Sequence, residues 1–267
     1  MKQPNPMLLA VDIGNTNTVL GVFEDAQLRT HWRLATHRER TADEYGILCR
    51  NLFSLSNLDR QQIRAVVVSS VVPPVNPTIR EMCHEYFGLV PFFVDPAAQT
   101  LIQIRYEPVT DVGADRIVNA VAAVELYGRP AVVIDLGTAT TFDVISAGGD
   151  YLGGVIAPGW GISAEALFSR AARLPRVEIR KPEKIIGTST VESMQSGLYH
   201  GYLSLVKGLL DRILEELPSA VVVATGGFAE SLMPEIPAVR HIDPELTLKG
   251  LLIFYERLFR KGATAAG

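Results

Sequence analysis

One feature narrows the possible folds of this chain more than any other: a stretch of its first half recurs in its second half. Leu8–Val22 reads LLAVDIGNTNTVLGV, and Ala131–Ile145 reads AVVIDLGTATTFDVI. With Asp12 aligned on Asp135, each copy has an apolar β-branched run, Asp-x-Gly, hydroxyl or amide residues, and a second apolar run. Apolar runs on both sides of a short polar turn predict a β-hairpin. The chain is therefore predicted to contain two copies of one unit.

The order of segments after the hairpin is also repeated. The hairpin alignment places Thr18 opposite Thr141, and each hairpin leads into a turn and a third strand. Buried parallel strands and a closing helix follow in each half. The matched pairs are Ala65–Val72 with Ala220–Gly227, Phe93–Pro96 with His241–Pro244, and helix Ala114–Tyr127 with helix Leu246–Arg260. We predict an α/β protein of two duplicated domains, 1–128 and 129–267, each β-β-β-α-β-α-β-α, facing one another across a ligand-binding cleft.

Two helices have recognisable starting signals. Thr41–Glu44 and Ser189–Glu192 both have the spacing of a capping box, and the second is predicted to open a long helix that ends near Glu216. That helix carries glycines at positions 197, 201 and 208. Because glycine lowers helix stability, three on one face indicate close approach of another backbone, either within the chain or in a second copy of it.

Composition excludes several classes of protein. A net charge of −4 leaves no basic surplus for nucleic-acid phosphates. The two cysteines have no CxxC spacing, which fits a reducing compartment and gives no zinc signature. No apolar run approaches the length of a membrane span. We expect a cytoplasmic protein with neither a nucleic-acid nor a membrane partner.

The first hairpin turn has the chemistry of a phosphate-binding loop. Gly14 allows backbone N–H groups to approach phosphate oxygens, Asn15 to Thr18 add uncharged donors, and Asp12 is placed to hold Mg²⁺ or its water. The alternative is that these residues only satisfy turn geometry. A Walker loop is absent, and the GxGxxA match at Gly159–Ala164 follows the third strand of a hairpin instead of opening a βαβ unit.

A second loop, Gly113–Arg116, precedes a helix with strong apolar periodicity. Asp115 is either an acid that reaches the cleft or a first-turn residue favoured by the helix dipole.

Together, these motifs resemble the type III pantothenate kinases, a branch of the acetate-and-sugar-kinase, heat-shock chaperone and actin superfamily. The resemblance extends from about Met7 to Leu258. The motifs that carry it are DIGNTNT (Asp12–Thr18), GADR (Gly113–Arg116), DLGTATT (Asp135–Thr141), GGVIAPG (Gly153–Gly159) and ATGG (Ala224–Gly227). GADR and GGVIAPG together are specific to this branch.

The resemblance implies an actin-like (ribonuclease H-like) ATPase fold, a dimeric protein and a set of site residues. ATP phosphates would be held by Asp12, Ile13, Gly14, Asn15, Thr16, Asn17, Thr18 and Val19, with Thr138 from the second half. Pantothenate would be held by Tyr106, Gly113, Ala114, Asp115, Arg116 and Thr190. Asp115 would be the catalytic base, and Asp135 would hold a monovalent cation, K⁺ or NH₄⁺.

The implied reaction is phosphoryl transfer from ATP to pantothenate, giving 4′-phosphopantothenate, the first step of coenzyme A biosynthesis. Such a reaction asks the protein mainly for alignment and charge neutralisation, with Asp12 holding Mg²⁺ and Asp115 accepting the hydroxyl proton. Three other hypotheses remain open: a kinase for another small alcohol, a regulatory protein, and an actin-like ATPase. Intact Asp12, Asp115 and Asp135 argue against the regulatory hypothesis, and the short chain argues against a filament former.

Overall fold

The computed structural model of the protein describes residues 6–99, 101–171 and 173–260. The strands of these residues form two five-stranded sheets. The first sheet contains β1 (Met7–Ile13), β2 (Asn17–Glu24), β3 (Gln27–Ala35), β4 (Ile63–Ser70) and β5 (Phe92–Phe93). The second contains β6 (Ala131–Leu136), β7 (Ala139–Ile145), β8 (Tyr151–Pro158), β9 (Val221–Thr225) and β10 (His241–Ile242).

The two sheets have the same topology. Their strand orders are β3-β2-β1-β4-β5 and β8-β7-β6-β9-β10, so each strand of one sheet has a counterpart in the other. In both, the first three strands are antiparallel neighbours, and the remaining two run parallel to the first. The central strands β1, β4 and β6 are nearly continuous runs of buried residues, as expected where both faces of a sheet are covered. The predicted duplication is confirmed.

Helices connect the strands, with short 3₁₀ turns between them. The helices are α1 (Ala42–Leu55), α2 (Asn76–Phe87), α3 (Ala114–Tyr127), α4 (Trp160–Arg170), α5 (Thr190–Glu216), α6 (Ala229–Leu232) and α7 (Leu246–Tyr255), which continues as a π-helical turn (Glu256–Arg260). The 3₁₀ turns are Arg60–Gln62, Pro73–Val75, Val109–Asp111 and Met233–Glu235. The first half has the predicted element order. The second half has one helix more than predicted, because α4 precedes α5.

The two predicted capping boxes have different outcomes. At α1 both halves of the box are present, with Thr41 Oγ1 accepting from the Glu44 N–H and the Glu44 carboxylate accepting from the Thr41 N–H. At α5, Ser189 Oγ accepts from the Glu192 N–H, which is half of the box. The Glu192 carboxylate instead accepts from Thr188, at 2.7 Å from its N–H and 2.8 Å from its hydroxyl. This contact still satisfies a backbone donor before the helix begins.

Each sheet has its own apolar core. On the first sheet, alternate residues of β1 (Leu9, Val11, Ile13) pack with buried residues of α1 and α2. On the second sheet, alternate residues of β6 (Val132, Ile134, Leu136) pack with buried residues of α5. The other faces of β1 and β6 carry Asp12 and Asp135, whose side chains alternate with these core residues.

The last helix packs on the first sheet. Met1–Ala122 together with Glu245–Gly267 form one compact unit, and Ala123–Pro244 form the other. Helix α7 contacts β1, β2 and β4. Two glycines permit this approach: a Cβ at Gly21 would lie 2.8 Å from a Leu248 methyl carbon, and a Cβ at Gly250 would lie 2.4 Å from the Val118 carbonyl oxygen of α3. The repeat boundaries 1–128 and 129–267 stay a prediction about the duplication, whereas packing assigns α7 to the first unit. Among the described residues, no helix has the length and hydropathy needed to cross a membrane.

Candidate active site

The first hairpin turn lies between β1 and β2. Ile13 pairs with Thr18, and the Gly14 N–H donates to the Asn17 carbonyl oxygen at 2.9 Å, which closes the turn. Asn15 and Thr16 are exposed at its tip. Gly14 does not have a left-handed φ, so turn geometry does not require glycine here. Because the tip of the turn is exposed and Gly14 has no side chain, a phosphate could approach the backbone here.

Thr18 points into the protein. It is 1% exposed, and its hydroxyl lies 2.8 Å from the hydroxyl of Thr36, the residue after β3. The site residues predicted from the sequence do not include Thr36, because its contact with Thr18, eighteen residues away, leaves no local pattern in the sequence. The side chain of Thr18 is therefore part of the packing beneath the turn.

Asp12 lies near the carboxyl end of β1, in register with Val19 of β2 and Ser69 of β4. Its side chain is partly exposed. The Ser69 hydroxyl is fully buried and makes no hydrogen bond to any described residue. A partly exposed carboxylate in register with an unsatisfied hydroxyl suits Mg²⁺, which keeps several waters and uses few protein ligands.

The second hairpin turn is one residue shorter than the first. Leu136 pairs with Thr140, leaving three residues (137–139) in the turn, whereas Ile13 pairs with Thr18 and leaves four (14–17). The residue equivalent to Thr18 is therefore Thr140, so the predicted match of Thr18 with Thr141 is wrong by one position. Both equivalent threonines are buried, and each hydroxyl is hydrogen-bonded, Thr140 to Tyr202 and Thr18 to Thr36.

The Asp135 carboxylate lies next to two glycines, which have no side chains. A Cβ at Gly226 would lie 2.5 Å from Asp135 Oδ1, and a Cβ at Gly137 would lie 3.5 Å from the same atom. Asp135 also pairs with the buried Thr225 of β9. The bare glycines thus form a cradle in which the Asp135 carboxylate sits. A carboxylate oxygen is a ligand that suits a hard cation. Among the described residues, no group of three or more histidine, cysteine or acidic side chains could hold a metal ion.

The exposed Thr138 forms the tip of the second turn, and Gly159 supports it from beneath. A Cβ at Gly159 would lie 2.2 Å from the Thr138 carbonyl oxygen and 2.6 Å from that of Gly137. The next residue, Trp160, is 4% exposed and stacks on Tyr202 at 5.7 Å between ring centroids. The GxGxxA match thus begins at the buried Gly159 and Trp160 and forms the first turn of α4. It follows a strand that is antiparallel to its neighbour, as the sequence indicates.

The Gly113–Arg116 loop leads into α3. Ala114 and Arg116 are buried, and the Arg116 N–H donates to Asp115 Oδ1 at 2.8 Å. A Cβ at Gly113 would lie only 2.4 Å from Asp115 Oδ1 and 3.1 Å from a methyl carbon of Val71, so glycine leaves the space that this carboxylate occupies. Burial raises the pKa of Asp115, and the Arg116 N–H and guanidinium oppose that rise.

The remaining predicted substrate residues lie at other places. Tyr106 is half-buried in the segment before α3, and Thr190 is exposed at the start of α5. Thr190 lines an open groove of about 810 Å³ that also includes Ser163, Met194 and Gly197. Among the described residues, none of the second hairpin turn lines this groove. The structure thus forms three local clusters: the first turn with Asp12, the second turn with Asp135, and the loop with Asp115.

Comparison with known proteins gives one family. The family model described as type III pantothenate kinase matches residues 8–212. A type III pantothenate kinase of Koribacter versatilis is 54% identical over 262 residues, covering 94% of this chain and 96% of the relative. One of Moorella thermoacetica is 51% identical over 252 residues, covering 94% and 99%.

Solved structures agree in fold. A Campylobacter jejuni protein described as a Baf family transcriptional activator has a TM-score of 0.56 at 18% identity, covering 93% of this chain and 97% of its own. MreB 5 of Spiroplasma citri has a TM-score of 0.52 at 11% identity, covering 98% and 99%. These identities show the duplicated actin-like fold alone, so neither structure favours the regulatory or the filament hypothesis.

Proposed function

This chain belongs to the type III pantothenate kinase family, and from that premise we propose how its residues share the transfer of a phosphoryl group from ATP to pantothenate. ATP is the phosphoryl donor of a kinase of this family, pantothenate is the acceptor, and 4′-phosphopantothenate enters coenzyme A biosynthesis. The observation that carries the assignment of roles is the pair of equivalent hairpin turns, each with an aspartate at the end of its central strand.

The two turns bind the phosphates. Within Asp12–Val19, the turn between the paired strands supplies N–H groups for the phosphate oxygens, and Thr138 at the second turn supplies further donors. Glycines at positions 14 and 137 add no side chain to either turn, which favours close approach of the phosphates to the backbone. Aligned donors of this kind serve phosphoryl transfer by orientation and charge stabilisation.

Asp115 is the catalytic base of this proposal. Its carboxylate accepts the proton of the pantothenate hydroxyl as the oxygen attacks the γ-phosphorus and the bond to the leaving ADP oxygen breaks. Burial raises the pKa of Asp115, which makes the carboxylate a better proton acceptor than an exposed aspartate. Gly113, Ala114 and Arg116 fix the loop around it, and Tyr106 and Thr190 complete the pantothenate site.

Two cations fit the aspartates. Asp12, with the Ser69 hydroxyl beside it, would hold Mg²⁺, which neutralises phosphate charge when bound. Asp135 would hold K⁺ or NH₄⁺ in its glycine-lined cradle. Without a cation, a second carboxylate near bound phosphates would repel them.

The working form of this proposal is a cytoplasmic homodimer. The α5 glycines 197, 201 and 208 are exposed. Apart from the adjacent helix backbone, no atom of a described residue lies within 4 Å of a Cβ built at any of them. Close packing inside the chain therefore does not explain them. Apolar side chains are also exposed nearby on α4 and α5, including Leu167, Phe168 and Val191. A helix face of small residues flanked by apolar ones suits the backbone of a second copy.

One experiment tests the reaction. The purified protein is incubated with ATP, Mg²⁺ and K⁺ in the presence of pantothenate or of a panel of other small alcohols, and products are identified by mass. Phosphorylated pantothenate is expected as the main product. Preferential phosphorylation of another alcohol, or ATP hydrolysis that ignores the acceptor, would overturn the assignment of substrate.

A further inference from the structure

Thr36 is tied to the first hairpin turn at three points. Its N–H donates to the Thr16 carbonyl oxygen at 2.9 Å, and its hydroxyl donates to the Gly14 carbonyl oxygen at 2.8 Å. The same hydroxyl lies 2.8 Å from the hydroxyl of Thr18. Thr36 follows β3, the edge strand of the first sheet, so these contacts join the edge of the sheet to the turn.

The direction of each hydrogen bond follows from counting protons. The Thr36 hydroxyl has one proton, and the Gly14 carbonyl oxygen can only accept, so that proton goes to Gly14. The Thr18 hydroxyl must then donate to Thr36 Oγ1. Since the single proton of Thr18 is used in this way, its side chain is not a hydrogen-bond donor to a phosphate.

These contacts also fix the orientation of two peptide groups. In a trans peptide, the C=O and the following N–H point in opposite directions. Thr36 binds the carbonyl oxygens of Gly14 and Thr16, so the N–H groups of Asn15 and Asn17 point away from Thr36. A phosphate-binding turn needs this arrangement, with carbonyl oxygens directed away from the anion and N–H groups available to it.

We propose that Thr36 is a positioning residue for ATP binding, because it holds the Gly14–Asn15 and Thr16–Asn17 peptide groups in the orientation that presents N–H groups to the phosphates. The inference rests on the proposed role of Asp12–Val19 in holding those phosphates. Thr36 acts through the turn, and the nucleotide need not touch it.

The second turn is held by different contacts. Thr140 is bound by Tyr202, and Gly159 packs directly under the Thr138 and Gly137 carbonyl oxygens. Loss of Thr36 should therefore affect only the first turn. This separation predicts a change in nucleotide affinity without a matching change in the use of pantothenate.

The test compares four single variants and the Thr18→Val/Thr36→Val double variant with the wild type. Thr36→Val removes the hydroxyl at nearly constant volume, and Thr36→Ser retains it. Thr18→Val removes only the donor to Thr36. Thr30→Val is the matched control, because Thr30 is a half-buried threonine of β3 whose side chain makes no hydrogen bond to a described residue. Calorimetry with a non-hydrolysable ATP analogue gives nucleotide affinity without an acceptor, and steady-state kinetics gives KM for each substrate.

Thr36→Val should weaken binding of the analogue and raise KM for ATP by about tenfold, with KM for pantothenate changed by less than about twofold. Thr36→Ser and Thr30→Val should stay close to wild type. Thr18→Val should have a smaller effect than Thr36→Val, and the double variant should add little to Thr36→Val alone, because one connected set of bonds is involved.

Several results would overturn the inference. Analogue affinity of Thr36→Val within about twofold of wild type would do so, as would equal increases in both KM values, or no recovery in Thr36→Ser. Failure of the wild type to phosphorylate pantothenate would instead refute the proposed function, and the binding measurement would still decide the role of Thr36. If Thr36→Val does not fold, Thr36→Cys takes its place, because a thiol is a weaker hydrogen-bond donor than a hydroxyl. Equal analogue affinity of Thr36→Ser and Thr36→Cys would then refute the inference.

Discussion

Gly226 gives a prediction whose size follows from the backbone. This residue comes directly after β9 and has a φ of 92°, a conformation that L-residues rarely adopt. A Cβ there would lie 2.5 Å from Asp135 Oδ1, 2.6 Å from the Leu136 nitrogen and 2.7 Å from the Leu136 carbonyl carbon. Two of these three atoms belong to the backbone of the central strand, so they cannot rotate aside. Gly226→Ala therefore combines conformational strain with overlap.

The two costs add to a measurable loss of stability. A left-handed conformation costs an L-residue about 1–2 kcal/mol, and overpacking a filled site costs about 1–3 kcal/mol. Their sum of about 2–5 kcal/mol is a large part of the roughly 5–15 kcal/mol that stabilises a typical folded protein. At about 2–4 °C per kcal/mol for a chain of this size, Tm should fall by about 4–20 °C.

Calorimetry on Gly226→Ala checks this value, with Gly161→Ala as the control. Gly161 lies in α4, has no left-handed φ, and has no atom within 4 Å of a Cβ built on it. Alanine there should raise stability by about 0.5–1 kcal/mol. A Tm of Gly226→Ala that matches wild type or Gly161→Ala would show that the loop shifts freely, and the reasoning about the Asp135 cradle would be refuted.

Further predictions concern the reaction and the assembly. Asp115→Asn should lower kcat by about a hundredfold or more with nucleotide binding intact, and unchanged turnover would place the base elsewhere. Burial raises the pKa of Asp115 above 3.8, so on acidification the rate should begin to fall at a pH above that value. The free energy of unfolding of the wild type should decline as pH rises from 3.8 through the raised pKa, and Asp115→Asn should abolish that decline. Activity in sodium or Tris buffer should rise on addition of K⁺ or NH₄⁺, and Asp135→Asn should remove the response; full activity without either ion would contradict this. Sedimentation should give a dimer at micromolar concentration that Gly201→Leu dissociates, and a wild-type monomer would exclude it.

Much of the fold could be predicted from the sequence, because its strands and helices follow from local patterns of apolar and polar residues. The apolar runs around Asp12 and Asp135 are the central strands, and the predicted bounds of α3 and α5 match the structure at both ends. Helix α4 is not predicted, because the glycines of Gly159–Ala164 have the pattern of a loop motif. The match of Thr18 with Thr141 is wrong because aligning the two segments on Asp12 and Asp135 does not show that the second turn is one residue shorter.

Site features that depend on distant contacts could not be predicted. Nothing in the sequence near Thr36 indicates that its hydroxyl reaches Gly14, because the edge strand must first fold back beside the turn. Likewise, the α5 glycines predict close packing, but the sequence does not say against what. Only the open space around Gly197 and Gly201 among the described residues argues against a neighbour in the same chain. The proposed role of Asp115 draws on its burial, which a motif does not encode.

The packing of α7 has a consequence for synthesis on the ribosome. The first unit combines residues up to Ala122 with residues from Glu245 onward, whereas the second is one continuous segment, Ala123–Pro244. As the chain leaves the exit tunnel, the second unit has all its residues before α7 has emerged. Until then, Gly21 and the neighbouring face of β1 lack the helix that covers them. Domains usually fold in the order of synthesis. Here the unit that is begun first is completed last, and its uncovered sheet is the surface that a nascent-chain chaperone would meet.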